Sequence, residues 1–288
     1  MRVTPPRLGL IPLLAGAVIL AFSGAPANAQ KPDFQKADAA KLEARYVATL
    51  AGIPIGRGAW VVEITDDQFT AAASGATAGV MRVFSSGKGT SAARGSITGG
   101  RFVPTAYASN VVADKRADDV RMAMVGGTIR EASVNPPPTP DPDRIPLAEA
   151  HRRGVIDPMT ASLVRVAGAG ETLGPEACGR SAPIFDGRIR YDLRSEFKRM
   201  DKVKAETGYQ GPVVVCAVYF DPIAGHIPDR TAIKFLSEQR GMEVWLAAIA
   251  GTRVLVPFRF EVPTPVGQGV LLATEFITSP LSTAAKSQ

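Results

Sequence analysis

The run Gly-Pro-Val-Val-Val-Cys-Ala-Val-Tyr-Phe-Asp-Pro at residues 211–222 is apolar on both parities from Val213 to Phe220. Successive side chains of a strand point to opposite faces, so a strand with one wet face alternates and a strand covered twice does not. The run is therefore expected to be a central strand packed on both sides, closed by a turn at Asp221-Pro222. The stretch before it behaves differently. Ile189, Tyr191, Leu193 and Phe197 share one parity, while Arg188, Arg190, Asp192, Arg194, Glu196 and Lys198 take the other. This gives an antiparallel strand one apolar and one charged face. Asp186-Gly187, just upstream, has the chemistry of a hairpin turn.

More strands follow on either side. Residues 242–249, the alternating Val254, Val256, Phe258, Phe260 and Val262, and residues 269–276 supply three toward the C-terminus. In the first half, Ala44, Tyr46, Ala48 and Leu50 alternate with Glu43, Arg45 and Thr49, and the pattern resumes at Trp60, Val62 and Ile64 after an interruption at 52–56. Residues 68–74 and 80–85 read as further strands, with Gly75, Gly79, Gly87, Gly89 and Gly95 as turns between them and the next run. Pro104 cannot donate to a ladder, so the strand at 102–112 should be an edge or carry a bulge. Val120, Met122 and Met124 lead through Gly126-Gly127 into a hairpin with 128–134.

One helix stands out. Asp157 suits the cap and Pro158 the first turn, Met159, Ser162, Leu163 and Val166 share a side, and Gly168 to Gly170 end the pattern, which predicts a helix near 158–167. Residues 135–146, N-P-P-P-T-P-D-P-D-R-I-P, hold neither helix nor central strand and should form a stiff surface connector within one domain. The expected fold is mainly β: a long antiparallel meander of about ten to twelve strands forming a curved sheet, a barrel, half-barrel, β-spiral or sandwich, with one short helix as plug or lid.

The first residues give the address. Arg2 and Arg7, the uncharged run 8–22 and Ala27-Asn28-Ala29 have the three parts of a secretory signal peptide, with cleavage expected after Ala29. Residues 30–42 are expected to be a flexible lead, 43–277 the β domain and 278–288 a flexible tail. Without Arg2 and Arg7 the chain carries 31 basic and 27 acidic residues, a net charge of +4. Such a mild, dispersed excess gives no footprint for nucleic acid. No later run is long and apolar enough to span a bilayer as a helix. Two cysteines in an exported chain, Cys178 and Cys216, read as one structural disulfide.

The chemistry-bearing residues mostly have local structural reasons. Asp157, Asp186, Asp192 and Asp221 are the residues from which paired glycosidase carboxylates would be drawn. Asp157 is explained by a helix cap, Asp186 by the turn with Gly187, and Asp221 by the turn with Pro222. No G-x-S-x-G, phosphate loop or dinucleotide fingerprint occurs, and His151 and His226 read as solvated residues outside any metal motif. No metal and no cofactor are expected.

The phrases G-I-P-I-G at 52–56, G-V-I-D-P-M at 154–159, F-D-G-R-I-R-Y-D at 185–192, G-Y-Q-G-P at 208–212, F-D-P-I-A-G at 220–225, M-E-V-W-L at 242–246 and V-P-F-R-F-E-V-P-T-P-V-G at 256–267 occur in this order. Together, over roughly 46–276, they resemble the alphaproteobacterial branch of the exported family called Domain of Unknown Function 3108. The resemblance implies a periplasmic, mostly β protein without established enzyme activity, similar to lipoprotein-carrier half-barrels and to β-spiral envelope-maintenance proteins. The combined expectation is a non-enzymatic periplasmic protein whose concave apolar face takes a lipid, another apolar ligand or an envelope partner. An envelope enzyme acting on glycan or lipid through the carboxylates, and an interaction scaffold, are the alternatives.

Overall fold

A computed structural model describes residues 39–79, 86–114 and 116–281. The signal peptide expected at 1–29, residues 30–38, the strand expected at 80–85 and the last seven residues, 282–288, lie outside the described residues. The first half is a meander of seven strands: β1 (Ala40–Leu50), β2 (Ile53–Ile64), β3 (Gln68–Thr77), β4 (Gly87–Thr98), β5 (Arg101–Ala113), β6 (Arg116–Val125) and β7 (Thr128–Asn135). The second half contains α1 (Pro158–Ala161), β8 (Val164–Arg165), β9 (Arg180–Phe185), β10 (Arg190–Lys204), β11 (Thr207–Gly208), β12 (Gln210–Ala224), α2 (Thr231–Glu238), β13 (Glu243–Ala248), β14 (Val254–Thr264) and β15 (Gly267–Pro280).

All strands belong to one 15-stranded sheet in the order β7-β6-β5-β4-β3-β2-β1-β15-β14-β13-β12-β10-β9, with β11 on β15 and β8 on β14. β1 and β15 pair in the middle of this order, antiparallel over nearly their full length. Each half of the chain thus spreads outward from a shared seam, leaving β7 and β9 as the two edges. Unpaired edges expose rows of amides and invite aggregation. Here residues 153–156 lie between them. Val155 N–H donates to Gly127 O at 2.9 Å, Ile156 N–H donates to Pro183 O at 2.9 Å, and Phe185 N–H donates to Ile156 O at 3.0 Å. The β9–β10 turn adds to this closure. Arg188 donates to both Asp118 carboxylate oxygens (2.9 and 3.0 Å) and to Pro136 O (3.0 Å). Gly187, at φ +98°, sits so close to Val120 that a Cβ would lie 2.5 Å from its Cγ1.

The expected double covering of the central strand has a concrete form. Val213 and Val215 of β12 belong to the main core, whereas Val214 and Cys216 belong to a second cluster with Val164, Val166, Ala177 and Leu246. Cys178 and Cys216 form the disulfide, with Cα atoms 5.7 Å apart, and so pin the loop before β9 over this second face. Arg253 holds the same loop region by three carbonyls, donating to Val166 O at 3.0 Å, Gly170 O at 2.7 Å and Ala167 O at 3.1 Å.

Several expectations change. The helix stops at Ala161 rather than near residue 167, because the β-branched Val164 and its neighbour Arg165 pair with Val254 and Leu255 of β14. Asp221-Pro222 is no turn: β12 continues to Ala224, with Pro222 opposite Tyr191. There β12 has β10 on one side only, since β13 reaches no further than Ala217, so the missing proline N–H costs no ladder bond. Gly75, Gly87, Gly89 and Gly95 lie inside strands. Residues 40–42, assigned to the flexible lead, begin β1, and β15 runs on to Pro280. Phe197 remains 42% exposed although it shares a parity with Leu193, because β9 pairs only as far as Ser195 and the register shifts beyond Phe197. Helix α2, with no fully buried residue but with Ile233, Phe235 and Leu236 half-buried, is a second helix beyond the one expected. The bulge near Pro104 and the Gly126-Gly127 hairpin are present.

Removing the disulfide tests the second cluster. With a sequence separation of 38, chain entropy ascribes about 4 kcal/mol to the cross-link. The Cys178→Ala/Cys216→Ala variant should lose a large part of that in urea denaturation, and an unchanged midpoint would show that the loop holds its place without the bond.

Candidate functional site

The inward-facing positions of β2, β3 and β4 change size along the strands. Toward one end they are Val62, Ile64, Phe69 and Ile97, all buried in the main core. Toward the other the same parities carry Gly56 and Gly58, Ala73 and Gly75, and Gly89 and Ser91. Nothing fills the space that larger residues would occupy, and a cavity of about 620 Å³ remains, broadly open to solvent. Glycine inside a strand weakens it and marks close backbone approach. At Gly58 a Cβ would stand 2.8 Å from Ser74 O, so the twist that brings β2 and β3 together there requires glycine.

Aromatic and aliphatic side chains complete the wall. Tyr46, Trp60, Met159 and Leu271 line it, and Met159 with Ser162 brings the α1 region against the cavity. Val111 and Leu271 of this wall are 45% and 39% exposed, an apolar surface left to solvent. Tyr46 donates its hydroxyl proton to Pro257 O at 2.7 Å, and burial pushes its pKa well up. Trp60 is only 6% exposed, and its buried Nε1–H finds no acceptor among the described residues. Arg57 and Lys88 also border the cavity, yet both are exposed on the alternate, outward parity, so their side chains stand on the other face of the sheet. They border in addition a more polar groove of about 840 Å³ that shares strands β2 to β4 and includes Arg45, Glu206 and Glu275.

The carboxylates singled out from the sequence separate into two places. Asp157 is 0% exposed, and both its oxygens are engaged by Thr160, Oδ1 by the backbone N–H at 2.9 Å and Oδ2 by the hydroxyl at 2.6 Å. Pro158 follows as the first helical residue. Asp186 Oδ1 accepts from Arg188 N–H at 2.8 Å and Ile189 N–H at 2.7 Å, which shapes the turn with Gly187. Burial raises the pKa of both, against the pull of these hydrogen bonds. Both act electrostatically on Tyr107 and Tyr191, whose own pKa values burial raises, so Asp157 and Asp186 share one neighbourhood. Asp192 and Asp221 are elsewhere. They stand opposite each other across β10 and β12, Asp192 paired to Arg190 at 2.5 Å and Asp221 to Arg194 at 2.6 Å.

The histidines differ from expectation. His226 is buried rather than solvated, and burial lowers its pKa. Its neighbours explain why: Gly225 and His226 are pinned by Ile145 and Arg144, the latter donating to Gly225 O at 2.6 Å, so the proline-rich connector covers them. His151 accepts from Ala148 N–H at 3.1 Å. Among the described residues no group of three or more His, Cys, Asp or Glu is arranged to hold a metal ion, and no helix is long and apolar enough to cross a membrane.

Reading Gly75, Gly87 and Gly89 as turns hid the cavity from the sequence. The usable signal was the period-two spacing of small residues, Gly56-x-Gly58, Ala73-x-Gly75 and Gly89-x-Ser91, inside runs that otherwise alternate.

The buried cap can be tested by pH. Asparagine caps a helix as well as aspartate, so Asp157→Asn keeps the geometry and removes the cost of burying a carboxylate. Because burial raises the folded-state pKa above the unfolded value, folding takes up a proton between the two, and wild-type stability falls as pH rises through that window. The stability advantage of Asp157→Asn, measured by urea unfolding, should grow as pH rises from about 4 and then level off. A pH-independent difference would contradict the raised pKa.

No curated protein matches the chain. Among solved structures it is similar to the crystal structure of a β-barrel-like protein of Domain of Unknown Function DUF1849 from Brucella abortus, with a TM-score of 0.46 and 9% identity over 85% of this chain and 98% of that one. The profile of the family described as "Protein of unknown function (DUF3108)" matches residues 45–274, nearly the whole of the sheet. The chain belongs to the DUF3108 family.

Proposed function

We propose that this protein is a non-enzymatic binding protein of the periplasm, in the service of cell-envelope maintenance, that holds an apolar ligand or the apolar segment of an envelope partner in its cavity. The observation that carries the reading is the cavity of about 620 Å³, walled by Trp60, Met159, Leu271 and small strand residues. Its size falls within the usual range of ligand pockets, and its apolar wall matches their usual lining. The Cys178–Cys216 disulfide is consistent with an oxidising compartment. The signal-peptide pattern of residues 1–29 and cleavage after Ala29 are part of the same reading.

A second reading, an envelope enzyme acting on glycan or lipid, draws on the shared neighbourhood of Asp157 and Asp186 with Tyr107 and Tyr191. Raised carboxyl pKa values are common where acids act in catalysis, and also where carboxylates simply cap and turn. Unchanged envelope phenotypes for Asp186→Asn would dispose of it.

Filling the cavity tests the first reading. Ala73→Phe and Ser91→Phe each place a ring in the empty space, and each variant should bind a fluorescent fatty-acyl probe at least about tenfold more weakly, roughly 1.4 kcal/mol. Native mass spectrometry of protein purified from the periplasm should show an extractable lipid on the wild type and none on the filled variants. Folded variants that bind like the wild type would overturn the proposal.

A further inference from the structure

Two hairpin tips stand side by side at the end of the sheet that the cavity reaches through Ala48, Ile55 and Leu271. Ala51, in the β1–β2 turn, donates its N–H to Gln268 O of β15 at 2.9 Å, and a Cβ on Gly267 would lie 2.7 Å from the Ala51 Cβ. Both tips are apolar and bare. Val266 is 69% exposed and Ile53 52%, with Pro265 and Pro54 exposed beside them. No other large apolar residue among those described is as exposed as Val266. The strands that leave these tips and their neighbours carry no carboxylate close by: residues 44–62, 69–79, 86–97 and 262–274 contain Arg45, Arg57, Lys88 and Arg94 as their only charges. Arg45 is neutralised by Glu275 at 3.1 Å, whereas Arg57 and Lys88 form no ion pair with a described residue. These two stand in one row on the outer face of the sheet, Arg57 opposite Ala76 and Ala76 opposite Lys88. With neighbouring strands about 4.8 Å apart, their Cα atoms are roughly 10 Å apart.

We infer that the two tips, with Arg57 and Lys88 behind them, form a docking surface for an anionic lipid bilayer. Adjacent exposed apolar side chains mark an interaction site, and interfacial anchors seat such groups about 5–10 Å into the boundary between headgroups and acyl chains. The spacing of apolar and cationic groups fits that depth. Arg57 lies four residues from Ile53 along β2, about 13 Å at 3.3 Å per residue. On a strand tilted as in a barrel this is roughly 10 Å of height. With Ile53 and Val266 at the acyl boundary, the long Arg57 and Lys88 side chains reach the headgroups, where each cation near an anionic surface adds to the attraction. A second copy of the chain fits less well, because a two-fold pairing through the tips would turn the unpaired cations of both copies toward each other. The inference goes beyond the cavity function proposed above and holds whatever the cavity contains.

Co-sedimentation of protein purified from the periplasm tests the surface, using vesicles of phosphatidylcholine alone and of phosphatidylcholine with an equal part of phosphatidylglycerol. Wild type is expected to bind the anionic vesicles at least about tenfold more tightly, and added salt should narrow the gap. Arg57→Gln/Lys88→Gln should abolish that preference. Ile53→Ser/Val266→Ser should weaken binding to the anionic vesicles at least about tenfold, with the urea midpoint and the binding of the fatty-acyl probe unchanged. Emission from Val266→Trp should be quenched by vesicles with brominated acyl chains, whereas that of wild type, whose Trp60 and Trp245 are 6% and 5% exposed, should not. A wild type that stays in the supernatant with anionic vesicles, or an Ile53→Ser/Val266→Ser variant that sediments equally well, would overturn the docking surface. Neither result touches the cavity function, which stands or falls with the filled variants.

Discussion

A sheet that spreads in both directions from a central seam must end somewhere, and its two ends carry amides that water or another chain will otherwise pair. In this protein residues 153–156 take that role. Backbone bonds from Val155 to Gly127, from Ile156 to Pro183 and from Phe185 to Ile156 tie one short extended segment to both edges. The segment leads directly into Asp157 and α1, so the same stretch that bridges the edges also carries Met159 and Ser162 to the cavity wall. Arg188 secures the arrangement from the other side through Asp118 and Pro136 O.

Once the edges are bridged, the interior is a fixed space that side chains either fill or leave. Burying an apolar side chain stabilises a fold by about 1.5 to 3 kcal/mol, so empty interior space is stability forgone. The chain fills it fully around Val62, Phe69 and Ile97 and leaves it open around Gly56, Gly75 and Gly89. Glycine in a strand adds an entropic cost of roughly 0.5 to 1 kcal/mol relative to alanine. The empty volume costs stability twice, in packing and in backbone entropy, and Val111 and Leu271 stand exposed beside it.

The second half of the chain makes up part of the loss. Its strands β12, β13 and β14 contribute to two clusters at once, with Val213 and Val256 facing one and Val214 and Leu255 the other. The loop that covers the second cluster lacks a ladder of its own beyond the two residues of β8, and it is held by the Cys178–Cys216 bond and by the Arg253 guanidinium. A covalent and an electrostatic clamp replace the hydrogen-bond ladder that a covering strand would have had.

The sequence by itself determined the elements whose cause is local. Alternation along β1, β6 and β14, the unbroken apolar run of β12, the Asp157 cap and the Asp186-Gly187 turn depend on a residue and its near neighbours, and each is legible at that range. Only the tertiary structure decided where those rules yield. Pro222 stays in a strand because β12 is paired on one side there, Val164 leaves the helical pattern because β14 offers a partner, and Phe197 is exposed because β9 has already ended. The cavity is the strongest case. A glycine at 58 or 75 has the same local meaning whether it turns the chain or lines a wall, and the difference lies in strands many residues away that close around it or do not.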